Sequence, residues 1–223
     1  MDFKNKQLII FDFDGTLIDS IPDLTQAVNS TLINFDLKPL TIDEVTPFVG
    51  NGVKRLVERA LEYTMQPKEV SKELFEAALT FYSSAYRAVV CDKTYLYPGV
   101  LETLQYLDEK GYVMTIVTNK PFEFIEPILD TLLIKRFFKS WVGGDSLSQK
   151  KPDAAPLLYI ADKMNIDVEK CIMIGDSKND ILAAKNANMK SIGVSYGYNY
   201  NEHISEYKPT KVIDNFKELE GLF

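Results

Sequence analysis

Four aspartates, a threonine–asparagine pair and a lysine sit close behind short apolar runs in this sequence. Asp12 and Asp14 follow Leu8-Ile9-Ile10-Phe11 in "LIIFDFDGTLIDS" (8–20). Thr118 and Asn119 follow "YVMTIV". Lys151-Pro152 comes after "SWVGGDS", and Asp176 and Asp180 close "KCIMIGDSKND". Residues two apart on a strand point to one face, so Asp12 and Asp14 can act together. Four carboxylates in one place repel one another and favour protonation. A hard divalent cation removes that conflict, and an all-oxygen donor set suits Mg²⁺. Lys151 adds a fixed positive charge. A cation, a lysine, a threonine hydroxyl and loop N–H groups make a site for a phosphoryl group. One carboxylate can attack phosphorus. The other can protonate the departing alkoxide and then deprotonate water. Each motif alone also has a plainer reading: an Asp-x-Asp turn, a Thr-Asn cap, a helix N-terminus with a first-turn acid. Their joint order along the chain carries the assignment.

These residues need elements to hold them. Residues 7–13 are β-branched and aromatic without alternation, which predicts a strand buried on both faces. Three helices follow. The first starts near Pro22, with Leu24, Ala27, Val28, Thr31 and Leu32 on one face. The second, "GNGVKRLVERALEY" (50–63), has Val53, Leu56, Val57, Ala60 and Leu61 on one stripe. The third is "PKEVSKELFEAALTFYSSAY" (67–86), and no strand is expected from 19 to 86. From "YPGV" (97–100) strands and helices alternate to a last strand, "TKVID", and a C-terminal helix. Alternation predicts an α/β fold: a Rossmann-like parallel sheet with helices on both faces. The expected division is a catalytic core of 1–18 and 87–223 with an inserted helical cap over 19–86. In such a sheet ligands sit beyond the carboxyl ends of the strands, which gathers the motifs at one place.

Composition narrows the function. The 223 residues are 46% hydrophobic and 26% charged, enough for a sizeable core. Lys and Arg number 25 against 32 Asp and Glu, a net charge of −7 without a basic block. Nucleic acid is therefore not an expected partner. The single His203 leaves no basis for a histidine-rich zinc site or a Ser-His-Asp triad. Cys91 and Cys171 are far apart and read as reduced thiols. No signal peptide or membrane span is visible, so the expected setting is cytoplasmic, with no membrane partner. A monomer or homodimer is expected.

"DFDGTLIDS", "VTNK", "KKPDAAP" and "GDSKND" resemble the four motifs of the haloacid dehalogenase-like phosphatases. The likeness spans the chain, including a helical insertion just after the first motif. "FVGNGVKRLVERAL", "YPGV" and "YGYNYNEHI" are similar to bacterial phosphoglycolate phosphatases. The resemblance implies Asp12 as nucleophile and Mg²⁺ ligand. It implies Asp14 as general acid/base, with its carbonyl on the metal. Thr118, Asn119 and Lys151 would hold the phosphoryl oxygens, Asp176 would be the second metal carboxylate, and Asp180 would orient the metal shell. Lys150 stands where many members have glycine. Asp14 separates the chain from the dehalogenases, which lack that acid. The lack of spans separates it from P-type pumps.

The implied activity is hydrolysis of a small phosphorylated metabolite, foremost 2-phosphoglycolate, through an aspartyl-phosphate. Alternatives are a β-phosphoglucomutase-like phosphotransferase, a phosphonate hydrolase using Lys54, and a phospho-Asp signalling module. The cap is expected to read the substrate. Gly50-Asn51-Gly52 forms a turn leading into a helix N-terminus. Arg55, with Arg59 one turn on, is a candidate for a substrate carboxylate, against the plainer reading of a solvated face paired with Glu58 and Glu62. Tyr196, Tyr198 and Tyr200 are placed either at the crevice or in packing.

Overall fold

The computed structural model describes residues 3–223. Strand β1 (Leu8–Phe11) lies inside a six-stranded parallel sheet. The others are β4 (Val113–Val117), β5 (Ser140–Val142), β6 (Cys171–Gly175), β7 (Lys190–Val194) and β8 (Lys211–Ile213), in the order β5-β4-β1-β6-β7-β8. Leu8 is in register with Val113 of β4 and Cys171 of β6. Every residue of β1 is buried, which explains its unalternating apolar run.

Alternate residues feed two cores. Ile9 and Phe11 join Met114, Ile116, Ile172 and Ile174 on one face. There they meet helices α5 (Val100–Glu109) and α6 (Ile125–Thr131), through Leu104 and Ile128 among others. Leu8 and Ile10 point to the other face with Val117 and Met173. That face is covered by α7 (Ala155–Lys163) and α8 (Lys178–Asn186). The period of two along each strand thus divides one sheet between two helix layers.

Between β1 and α5 the chain makes a separate helical unit with its own core. It contains α1 (Ile21–Asn34), short α2 (Ile42–Val45), α3 (Val53–Met65) and α4 (Lys72–Val89). Leu56, Val57, Ala60 and Leu61 of α3 pack with Val28 and Leu32 of α1 and Ala78, Tyr82 and Tyr86 of α4. The four-residue spacing on α4 puts its two tyrosines on one stripe, with rings stacked at 5.9 Å.

The chain enters and leaves this unit side by side. Strands β2 (Ile18–Asp19) and β3 (Tyr95–Leu96) pair antiparallel beneath it. Two residues are too few to show a pattern, so no strand was expected at Asp19. The buried Asp23 carboxylate ties α1 to the segment that leads into β3. It accepts from the main-chain N–H groups of Lys93 and Thr94 and from the Thr94 hydroxyl, at 2.7–3.0 Å. Helix α4 runs to Val89, past position 86, and the last helical turn is a 3₁₀ segment at Phe216–Gly221.

Candidate active site

Four neighbouring strands, β5, β4, β1 and β6, deliver the motif residues at their carboxyl ends or in the loops just beyond. Asp12 follows β1, Thr118 follows β4, Asp176 follows β6, and Lys151 lies in the loop between β5 and α7. All four are buried. Carboxylate oxygens of Asp12, Asp176 and Asp180 lie within 4.8 Å of one another. Lys151 Nζ donates to Asp180 Oδ1 at 2.6 Å and lies 2.9 Å from Asp12 Oδ1. It also donates to the Val117 carbonyl at 2.6 Å. Asp180 is spent on positioning: its other oxygen accepts from the Ser177 N–H and hydroxyl, both at 2.9 Å. Asp176 is held by the Thr16 hydroxyl and the Tyr198 N–H, each at 2.7 Å.

The electrostatics follow from burial. Desolvation, then the neighbouring Asp180, pushes the Asp12 carboxyl up to about 7 against the pull of Lys151. Burial, then Asp12 and Asp180, raises Asp176 well above the usual carboxylate range. Burial alone would lower the Lys151 ammonium, but the Asp12 and Asp180 charges outweigh it and raise its pKa. One buried lysine among three buried acids leaves excess negative charge. The donor set therefore fits a divalent cation, which would favour the ionised acids.

Asp14 stands beside this cluster, part-exposed. Its carboxylate accepts from the Ser20 hydroxyl at 2.6 Å and from Lys120 Nζ at 2.9 and 3.2 Å. Gly15 permits the tight approach of the first motif to Asp176. Its φ is +86°, and a Cβ there would lie 2.4 Å from Asp176 Oδ2.

The helical unit closes over these strand ends at one loop. The Gly50 carbonyl accepts from Asn119 Nδ2 at 2.9 Å and Asn179 Nδ2 at 3.1 Å. Lys150 Nζ donates to the Asn51 carbonyl at 2.7 Å, and Arg59 donates to the Asn51 side chain at 2.9 Å. Gly50 has φ +111°, and a Cβ there would lie 2.4 Å from the Tyr200 hydroxyl. Beneath the loop lies a cavity of about 50 Å³, lined among others by Asp12, Asp14, Thr118, Lys120, Tyr82 and Tyr86. Its volume is well below the roughly 300–1,000 Å³ of drug-sized ligand pockets.

Gly50 and Gly52 line this cavity; Asn51 holds the loop. Of the two readings offered for Arg55, the geometry agrees with the solvated face. The Arg55 side chain is 59% exposed and pairs with Glu58, because it projects from the outer side of α3. Lys54 is exposed as well. Tyr198 is structural: its hydroxyl accepts from the Ser20 and Ile21 N–H groups and binds Asp19. Sequence reasoning missed Lys120, although it stands in the quoted "VTNK", and Tyr86, whose four-residue spacing from Tyr82 was the available signal.

Residues 9–194 match the family model of the haloacid dehalogenase-like hydrolases. The chain belongs to this family. It is 46% identical over 220 residues to a phosphoglycolate phosphatase of Colwellia psychrerythraea, covering 98% of this chain and 97% of the relative. It is 44% identical to phosphoglycolate phosphatase 1 of Pseudomonas aeruginosa, over 96% of this chain and 78% of that protein. A crystal structure of a predicted phosphoglycolate phosphatase from Haemophilus somnus superimposes with a TM-score of 0.93 at 36% identity, covering 96% of each chain. The chain is a phosphatase of the haloacid dehalogenase-like family, a phosphoric monoester hydrolase. Among its described residues no helix is long and apolar enough to cross a membrane.

Proposed function

We propose that the protein hydrolyses a small phosphomonoester, 2-phosphoglycolate, with Mg²⁺ and through an aspartyl-phosphate on Asp12. The observation that carries this reading is the convergence of three buried carboxylates beside Lys151, next to Asp14 and the cavity. The phosphoglycolate phosphatase names of near full-length relatives support the substrate. Helices α1–α4 act as the cap.

The metal's ligands would be Asp12, the Asp14 carbonyl and Asp176. It supplies charge neutralisation for the acids and for the phosphoryl oxygens. Thr118 Oγ1 accepts from the Lys120 N–H at 3.1 Å, which directs its own proton outward to a phosphoryl oxygen. The Asn119 side-chain amide is taken by the Gly50 and Lys151 carbonyls, so its main-chain N–H serves the phosphoryl group. Asp12 attacks phosphorus and the P–O ester bond breaks. Asp14 gives its proton to the departing alkoxide. Asp14 then removes a proton from water, which attacks phosphorus and frees Asp12 and inorganic phosphate.

Phosphate release over a panel of small phosphomonoesters with Mg²⁺ tests the assignment. The highest kcat/KM is expected for 2-phosphoglycolate, and indifference to it removes the substrate while leaving the chemistry. Transfer of the phosphoryl group to a sugar phosphate without free phosphate would instead favour the mutase alternative.

Metal and proton compete for the same acids. A carboxyl raised from 3.8 to about 7 in the folded protein takes up a proton on folding between those values. Metal-free stability is therefore greatest below pH 3.8 as far as Asp12 is concerned, and that contribution is lost as pH rises through about 7. Mg²⁺ needs the ionised acids, so its stabilisation should be small near pH 5 and grow towards pH 8. Thermal melts with MgCl₂ or EDTA across that range read this directly. A Mg²⁺ shift independent of pH would contradict the assigned cluster.

A further inference from the structure

The cavity is lined by a cation, Lys120, that phosphoryl chemistry alone does not require. Lys120 is 6% exposed, and its Nζ reaches both oxygens of Asp14. An ammonium has three protons, so these two contacts leave one donor over. Nζ lies 4.8 Å from the centroid of the Tyr86 ring. Tyr86 is 1% exposed, lines the same cavity, and its hydroxyl has no hydrogen-bond partner. A buried hydroxyl left unpaired is costly, which points to an absent acceptor. Burial, then Asp14 and Asp23, raises the Tyr86 hydroxyl, so it remains a neutral donor.

Both groups are donors, and one is a cation. They ask for an anion beside the scissile phosphate rather than for a sugar hydroxyl. Around Lys120 and Tyr86 the wall includes the apolar Leu24, Val53, Leu56 and Phe124, which strengthens a charged contact. Spacing agrees. Asp14 addresses the leaving oxygen and touches Lys120. In a 2-phospho-carboxylic acid one methylene separates that oxygen from the carboxylate.

We propose that Lys120 and the Tyr86 hydroxyl bind the substrate carboxylate, the role the sequence suggested for Arg55. This rests on the phosphatase reading above and deepens it. Lys120 then has two tasks: it pairs with Asp14 and shares its charge with the substrate carboxylate.

The test compares 2-phosphoglycolate with ethyl phosphate, which has a methyl group in place of the carboxylate. The quantity read is the ratio of the two kcat/KM values, for the wild type, Tyr86→Phe, Lys120→Met and Lys120→Arg. The wild type should favour 2-phosphoglycolate. Lys120→Met should reduce that preference on the order of 10²-fold and Tyr86→Phe about tenfold, with Lys120→Arg retaining much of it. Equal losses on both substrates in Tyr86→Phe and Lys120→Met would overturn the proposal, leaving Lys120 a partner of Asp14 and Tyr86 a packing residue. Should circular dichroism show Lys120→Met unfolded, Tyr86→Phe and Lys120→Arg decide by the same ratio. A wild type with no preference fails at an earlier point, because it removes the 2-phosphoglycolate reading itself before any variant is compared.

Discussion

Asp12→Asn is expected to lower phosphatase turnover by about 10⁴-fold or more, near 5 kcal/mol of transition-state stabilisation. The amide keeps the shape of the carboxylate and removes its nucleophilic charge. Asp14, Thr118 and Lys151 stay in place, so the phosphate-binding groups remain while the attack on phosphorus is lost. The variant has a second signature. Asp12 is buried, repelled by Asp180 and attracted by Lys151, and the repulsive and desolvation contributions prevail. A neutral amide removes that conflict while Asp180 continues to hold Lys151 at 2.6 Å. The metal-free variant should therefore melt at or above the wild-type temperature at pH 8. Mg²⁺ should stabilise it less than the wild type, because one ligand charge is gone. Near-normal Mg²⁺-dependent phosphate release by Asp12→Asn would sink the covalent mechanism. A collapsed melting temperature would show that Asp12 is structural.

The core motifs were legible because two strong regularities act on them together. A strand buried on both faces must be apolar, and the chain must leave it abruptly at the carboxyl end. Polar residues placed there cannot serve the core, so Asp12, Thr118 and Asp176 stand out against Phe11, Val117 and Ile174. The parallel sheet then brings them together whatever their separation in sequence.

The substrate side had no comparable regularity. Arg55 lies next to Leu56 on α3, one step round a helix from the buried stripe, and a step of about 100° separates a cavity from solvent. Charge type alone does not say which way such a residue faces. Lys120 was hidden for the opposite reason. A lysine three residues beyond a strand reads as a surface cation, and the closure of α4 over it makes it buried. Tyr82 and Tyr86 belong to the core of the helical unit. What the sequence does not display is that Tyr86 lines a cavity shared with the motif residues and has a buried hydroxyl without a partner. Asp23 likewise looks like a first-turn acid of α1, while its partners lie some 70 residues further on. Local patterns report the element a residue belongs to. Contacts between elements decide its chemistry.

Lys151→Met should be the most destabilising single change among the motif residues. Lys151 is 2% exposed, yet its ammonium lies against Asp12, Asp180 and the Val117 carbonyl. Methionine fills similar volume and removes the charge. Asp180 then loses the cation on Oδ1, and Asp12 and Asp180 face each other uncompensated in a buried site. Removing one partner of a buried ion pair typically costs about 3–5 kcal/mol, because the other charge stays buried. The loss should depend on pH with a definite sign. At pH 5 Asp12, whose carboxyl is raised to about 7, can take up a proton and relieve the repulsion, so the gap in melting temperature from the wild type should narrow. At pH 8 it should be widest. A divalent cation binding the same acids should recover part of the stability without recovering turnover, since the phosphoryl group still lacks its lysine. Thermal melts of both proteins at pH 5 and pH 8, with MgCl₂ or EDTA, separate these effects. A gap that is constant with pH would mean that Lys151 contributes packing rather than charge, and the electrostatic account of the site would have to be abandoned.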